Sequence, residues 1–457
     1  MSRTELCRVL LALALLLGAA HLMGRLFARF RQPPVVGEIL GGLVLGPTVL
    51  GQLLPGVENW LFPTEGPVAF GPALVYQLGM LLLMFTAGVE MRTVYSREDG
   101  RSVAVIAAVG MAVPFAIGLL AVEIVDTDDL VGPADDATAL SLVLACAVAV
   151  TSIPVISRIM LDVGIIRTWF AKVVLSVAVV EDVVLNVILS VALGMVAGAG
   201  SEGFGLAHTL GVESTNASAA YHSVASVVFF VVMALVAPAM RRLARPARGG
   251  PDGAGADGPL GAVAVRMAAL LAVAASCAYL GVAPMFGAFV VGLLSGRTGR
   301  TSHAEPLGQL KGFAAGFFIP VYFATVGLKL DLVHSFDPWF TVGFILVACL
   351  AKAAGAYAGA RLASRSKAES LDLGVALNAR GGPGIVLATV SFDAGIVNAS
   401  VFTTLILTAI VTSQIAGWWL ERAVVRGAFG AEGVPAPRAE GAAAGAGAKT
   451  PADAASG

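Results

Sequence analysis

The sequence predicts an all-α polytopic membrane protein of about thirteen transmembrane helices, and three observations carry that prediction. Of 457 residues, 57% are hydrophobic and 13% are charged, roughly half the charged share of a soluble domain. Apolar stretches near the ~20 residues that cross a bilayer recur along most of the chain. Between them, basic and acidic loops alternate as the positive-inside rule requires. The net charge of −1 leaves no electrostatic case for nucleic acid as a partner. Cys7, Cys146, Cys277 and Cys349 stand singly in apolar runs, so they read as small buried hydrophobes. No disulfide, metal site or other cofactor is expected.

The first stretch, 6–24, has Arg3 and Arg8 ahead of it like a signal peptide, but Arg25, Arg29, Arg31 and a second apolar run follow. It therefore reads as a retained span. Further stretches lie at 35–53, 73–91, 102–124, 138–160, 168–198 and 222–240. The next two, 261–279 and 281–296, run together. As one helix they would be about 55 Å long against a ~30 Å core, so a break is required near Gly281–Pro284. The last four stretches are 313–331, 338–362, 370–395 and 399–421.

With the N-terminus outside, the cytoplasmic loops hold Arg25 to Arg31, Arg92 to Arg101, Arg158 to Lys172, Arg241 to Arg248, Arg297 to Lys311, Arg361 to Lys367, and Arg422 with Arg426. The opposite loops hold Glu58, Glu65, Asp126, Asp128, Asp129, Asp135, Asp136, Glu202 and Glu213, and Lys329 is their one basic residue after the N-terminus. One missed helix would invert every later loop, so the expected orientation is N-out and C-in. The domain reading is a membrane domain over 1–426 and a disordered, Ala/Gly-rich cytoplasmic tail over 427–457. Within the first, 1–199 and 261–426 form two halves, joined by the seventh span and a Gly/Asp/Pro-rich linker over 220–260.

Ionisable groups at membrane depth are expensive and point to function by default. Glu181, Asp182, Lys352 and Arg380 stand far from any span end. Adjacent acids on a helix point about 100° apart, so Glu181 and Asp182 take different roles. A bare structural ion pair is the alternative, and two acids against one mid-depth lysine speak against it. Arg380 either neutralises half-helix ends or takes part in function. Two spans are also interrupted at mid-depth, one by Thr151-Ser152-Ile153-Pro154 and one by Asn378-Ala379-Arg380-Gly381-Gly382-Pro383-Gly384. Pro154 removes a backbone donor and frees a carbonyl, although a lone proline is more often just a kink. Unwound backbone survives at that depth only when buried in protein or lining a wet cavity. The breaks fall in the fifth span of each half, and matched interruptions point to a transporter with an inverted repeat.

These residues resemble the cation:proton antiporters, in the branch of monovalent Na⁺ or K⁺ exchangers. The likeness spans residues 10–421 and rests on Gln32-Pro33-Pro34-Val35-Val36-Gly37-Glu38 with Leu45-Gly46-Pro47, on Ala87-Gly88-Val89-Glu90, and on Thr151-Ser152. It continues through Glu181-Asp182, Gly287 to Gly292, Val326-Gly327-Leu328, Lys352 and Asn378-Ala379-Arg380-Gly381. The resemblance implies thirteen helices, a six-helix core with two crossed broken helices, a dimerisation domain and a homodimer. It implies that Asp182 is the essential ion- and proton-binding carboxylate and Lys352 the core lysine. The first acid position, commonly Asp, Asn or Gln in such proteins, is Glu181 here; an acid there together with lysine tilts the expectation toward electrogenic exchange.

A mid-depth carboxylate holds either a proton or a desolvated monovalent cation. The expected site is therefore Asp182 with Glu181 beside it, completed by oxygens of Thr151, Ser152 and freed carbonyls, which suit a hard cation. Lys352 serves as the charge partner, and Pro154, Asn378, Arg380 and Gly381 support the breaks. The expected location is the cytoplasmic membrane of a bacterium, with the lipid bilayer, Na⁺ or K⁺, and H⁺ as partners. A non-transporting sensor on the same scaffold is the competing class; a passive channel or an enzyme fits less well.

Overall fold

The computed structural model describes residues 1–30, 32–94, 100–125, 129–166, 168–197, 205–212, much of 217–235, 259–295 and 304–429. The described residues are almost wholly helical. Helix α1 (Arg3–Arg29) opens with a capping box in which Ser2 and Glu5 satisfy each other's backbone amides. It is followed by α2 (Pro34–Leu45), α3 (Pro67–Val94) and α4 (Gly100–Ile124). The 138–160 stretch is split into α5 (Ala137–Ala149), capped by Asp136, and α6 (Ile153–Asp162). Next comes α7 (Trp169–Ala197), which carries both mid-depth acids. In the expected seventh span, 222–240, the residues described up to 235 are helical, whereas 236–258, with most of the 246–260 linker, lie outside the described residues, as does the tail from 430.

The second half begins with α8 (Pro259–Tyr279) and α9 (Pro284–Ser295), parted by a turn in which Gly281 has φ +73°. Helix α10 (Ala304–Phe313) leads through a π-helical turn, Ala314–Phe318, into α11 (Ile319–Leu328). Helix α12 (Pro338–Leu362) carries Lys352 and is capped by Asp337. The 370–395 stretch is again split, into α13 (Lys367–Ala376) and α14 (Gly381–Asp393), bent by 42°. Helix α15 (Ala399–Val425) ends the described fold. Among the described residues, eight helical segments are long and apolar enough to cross a membrane, or nine when the bent pair counts as one span. The chain is a multi-pass membrane protein.

The helices pack in two groups. One contains α1, α2, α3, α9 and α11; the other contains α4 to α7 and α12 to α15. Between them α3 touches α6 and α7. At the Lys329 end of α11, Asp393 joins the groups: it accepts from Tyr76 Oη on α3 at 2.8 Å and pairs with Lys329 at 2.5 Å.

In the first group, α2 and α11 meet backbone to backbone. A Cβ on Gly42 would strike the Ala324 carbonyl, and one on Gly327 the Ile39 carbonyl. Close approach of this kind is how small residues hold membrane helices together. Gly327→Val is therefore expected to abolish the monodisperse peak in detergent size-exclusion chromatography. Gly343→Ala, where an added Cβ meets nothing within 4 Å, should leave it unchanged; equal behaviour of the two variants would refute the packing argument.

Candidate functional site

The two interruptions meet. After α5 the chain is extended at Val150, and the Ser152 amide donates to the Ala379 carbonyl at 2.6 Å. An interrupted helix leaves its terminal carbonyls without partners, and Arg380 supplies them. Its guanidinium donates to the carbonyls of Ala147 (3.0 Å), Val148 (2.8 Å), Ala348 (2.7 Å) and Asn378 (3.2 Å), and to Asn378 Oδ1 (2.5 Å). All five donors of the group are engaged, and the charge lies against the negative end of the α5 dipole. Asn378 Nδ2 in turn donates to the Cys349 carbonyl at 3.0 Å. Gly381 has φ +26°, its amide donates to Ser413 Oγ on α15 at 3.2 Å, and a Cβ there would collide with Val155. Pro154, the second residue of α6, begins the new helix where a missing amide costs nothing.

Glu181 and Lys352 are both fully buried and pair at 2.8 Å. The Lys352 ammonium also donates to the carbonyls of Ala149 (2.6 Å) and Gly110 (3.2 Å), so its three protons are all placed. The Thr151 hydroxyl lies 2.8 Å from Glu181 Oε2 and 2.6 Å from the Leu377 carbonyl. It thus sits between two acceptors with one proton. Ser152 Oγ is buried and has no hydrogen-bond partner among the described residues.

Asp182 points elsewhere. It lines a cavity of about 20 Å³ between the two helix groups, with Met84 and Ala87 of α3 and Phe289 of α9 on one side. Val150, Leu185, Asn186, Leu189, Pro383, Val386 and Leu387 form the other side. That volume holds about one water-sized occupant. Among the described residues the Asp182 carboxylate has no hydrogen bond and no ion pair. The structure thus gathers Thr151, Ser152, Glu181, Lys352, Asn378, Arg380 and Gly381 at one crossing, with Asp182 facing the cavity beside it. It also adds two residues that the sequence reading passed over. Ser413 is one of many hydroxyls on α15, and Asn186 is neutral, although its place one turn after Asp182 was a readable signal. No group of three His, Cys, Asp or Glu that could hold a metal occurs among the described residues.

Paired and unpaired charges at the crossing of two interrupted helices, inside an apolar helical protein, define a membrane transporter. Known proteins supply the family. The family model described as "Sodium/hydrogen exchanger, transmembrane" matches residues 12–426, so the chain belongs to the sodium/hydrogen exchanger family, a family of secondary transporters and not of enzymes. Among its relatives, the Na⁺/H⁺ antiporter NhaS4 of Synechocystis sp. is 26% identical over 91% of this chain and 97% of its own length. Cation/H⁺ antiporter 20 of Arabidopsis thaliana is 27% identical over 88% of this chain but 47% of its own, so this chain spans about half of that protein. The solved structure of the sodium proton antiporter MjNhaP1 from Methanocaldococcus jannaschii shares the fold, with a TM-score of 0.62 at 16% identity over 92% of this chain and 99% of that one.

Proposed function

We propose that this chain is a secondary active antiporter that exchanges Na⁺ or K⁺ for protons across the cytoplasmic membrane of a bacterium, with the Asp182 carboxylate holding each in turn. One observation carries the reading. Of the two adjacent acids, Glu181 is held by Lys352 and Thr151, whereas Asp182 has no partner among the described residues and faces the cavity between the helix groups. A carboxylate in that position gains a counter-ion from a proton or from a cation, and one excludes the other. The small cavity favours a dehydrated cation. The unpartnered Ser152 hydroxyl supplies a further oxygen, with Thr151 and Glu181 behind it. Moving one helix group against the other exposes the site to each side in turn, and an unoccupied carboxylate is too costly to carry across.

In this reading the broken pairs α5–α6 and α13–α14 are single spans, and with the seventh span they complete thirteen helices, N-out and C-in. The halves 1–199 and 261–426 form the inverted repeat, 427–457 is a cytoplasmic tail, and two copies associate as a homodimer. The alternation of loop charge supports the span count and orientation, and the meeting of the two breaks supports the repeat.

Purified protein in proteoliposomes with a trapped pH dye tests the proposal. Under an imposed proton gradient, Na⁺, K⁺ or Li⁺ should produce cation-dependent dequenching, and clamping the membrane potential separates electrogenic from electroneutral exchange. Folded protein that responds to none of the three overturns it.

A further inference from the structure

Asn186 sits one helical turn after Asp182 on α7, and both side chains line the same cavity. Residues four apart on a helix have Cβ atoms about 5–6 Å from each other, close enough to share one small occupant. The remaining side chains of the lining, such as Met84, Phe289, Val386 and Leu387, are apolar. Like Asp182, the Asn186 amide has no hydrogen bond among the described residues. Lys352 and Arg380 place every proton and Thr151 is held between two acceptors, whereas the Ser152 hydroxyl, outside the cavity lining, is unpartnered. The Asn186 amide is half-buried, and its carbonyl oxygen is a neutral, hard donor of the kind that oxygen-liganded cations take.

We propose that Asn186 is a ligand of the transported cation and sets the affinity and order of preference of the site. Its Oδ1 completes the coordination while Asp182 is ionised. When Asp182 carries a proton, that O–H donates to the same oxygen, so one group serves both states. The inference rests on the reading of Asp182 as the exchange site.

Three variants in the proteoliposome assay test it. Asn186→Ala removes the oxygen without adding bulk and should raise the apparent KM for the preferred cation tenfold or more, with the maximal rate within threefold of the parent. Asn186→Asp keeps an oxygen at the same volume and should hold KM within threefold while changing the ranking of Li⁺, Na⁺ and K⁺. A merely structural asparagine would change expression or rate and leave KM and ranking alone. The assignment is overturned if Asn186→Ala leaves KM unchanged for all three cations. Should the alanine variant not fold, an unaltered ranking in Asn186→Asp overturns it equally. Asp182→Asn separates the two failures: if that variant still exchanges cations, the site reading falls and the Asn186 assignment with it, whereas a silent Asp182→Asn beside a normal Asn186→Ala sinks the ligand alone.

Discussion

Asp182→Asn is expected to reduce cation-dependent proton flux to the level of protein-free liposomes while leaving expression and the thermal unfolding midpoint near those of the parent. The substitution keeps side-chain volume and removes only the charge and the titratable oxygen. Asp182 gives up no ion pair or hydrogen bond in the described structure, so folding should lose little by the change. Glu181→Gln offers the contrast. It strips Lys352 of its counter-charge, so a stability loss should accompany whatever it does to transport. Substantial exchange by folded Asp182→Asn, or a collapse in its stability, would refute the division of roles between the two acids.

Lys352→Met is the second large effect. It leaves the fully buried Glu181 without its cation and deprives the Ala149 and Gly110 carbonyls of a donor. Removing one partner of a buried ion pair typically destabilises by about 3–5 kcal/mol. The double variant Glu181→Gln/Lys352→Met should recover at least half of that loss, because neither charge is then stranded. Thermal unfolding in detergent across the parent, both singles and the double measures the coupling. Strict additivity would mean that the pair contributes nothing as a pair. The same variants in the flux assay report the pairing differently: the pH profile should shift in Lys352→Met, and an unchanged profile would count against any part for the lysine in the transport cycle.

Much of this site was legible because membrane depth makes polarity conspicuous. The Asn378–Gly384 run marks a break that few continuous helices tolerate, whereas Pro154 alone reads as a kink, as Pro72 and Pro114 inside continuous helices illustrate. A lysine ten residues from the nearer span end cannot reach water. Which acid meets Lys352 was not legible. Glu181 and Asp182 differ by about 100° around α7, and only the rotation of that helix against α12 decides the pairing. The same rotation sets the Thr151 hydroxyl between Glu181 and the Leu377 carbonyl, a contact that no spacing along the chain encodes. Arg380 was left with two roles, and the carbonyls it meets come from α5 and α12 as well as its own segment, contacts that no local pattern encodes. Asn186 escaped notice because a search for charges passes over a neutral amide. In the stretch over 222–240 the described residues up to 235 are helical, and only its end at 236–240 stays a matter of hydropathy and loop charge.

The two ways in which the helix groups are held make a mechanical distinction. Inside the first group, α2 and α11 lie so close at Gly42 and Gly327 that no side chain fits between their main chains. Across the groups, Asp393 ties to Lys329 and Tyr76 through side chains alone, with the ion pair about a third exposed. A partly solvated pair of that kind is worth roughly 0–1 kcal/mol and weakens with salt. It is a clasp that adds little to hold the two groups together. Under the proposed exchange, close packing inside a body beside a weak tie between bodies is the division of strength that movement of one against the other calls for.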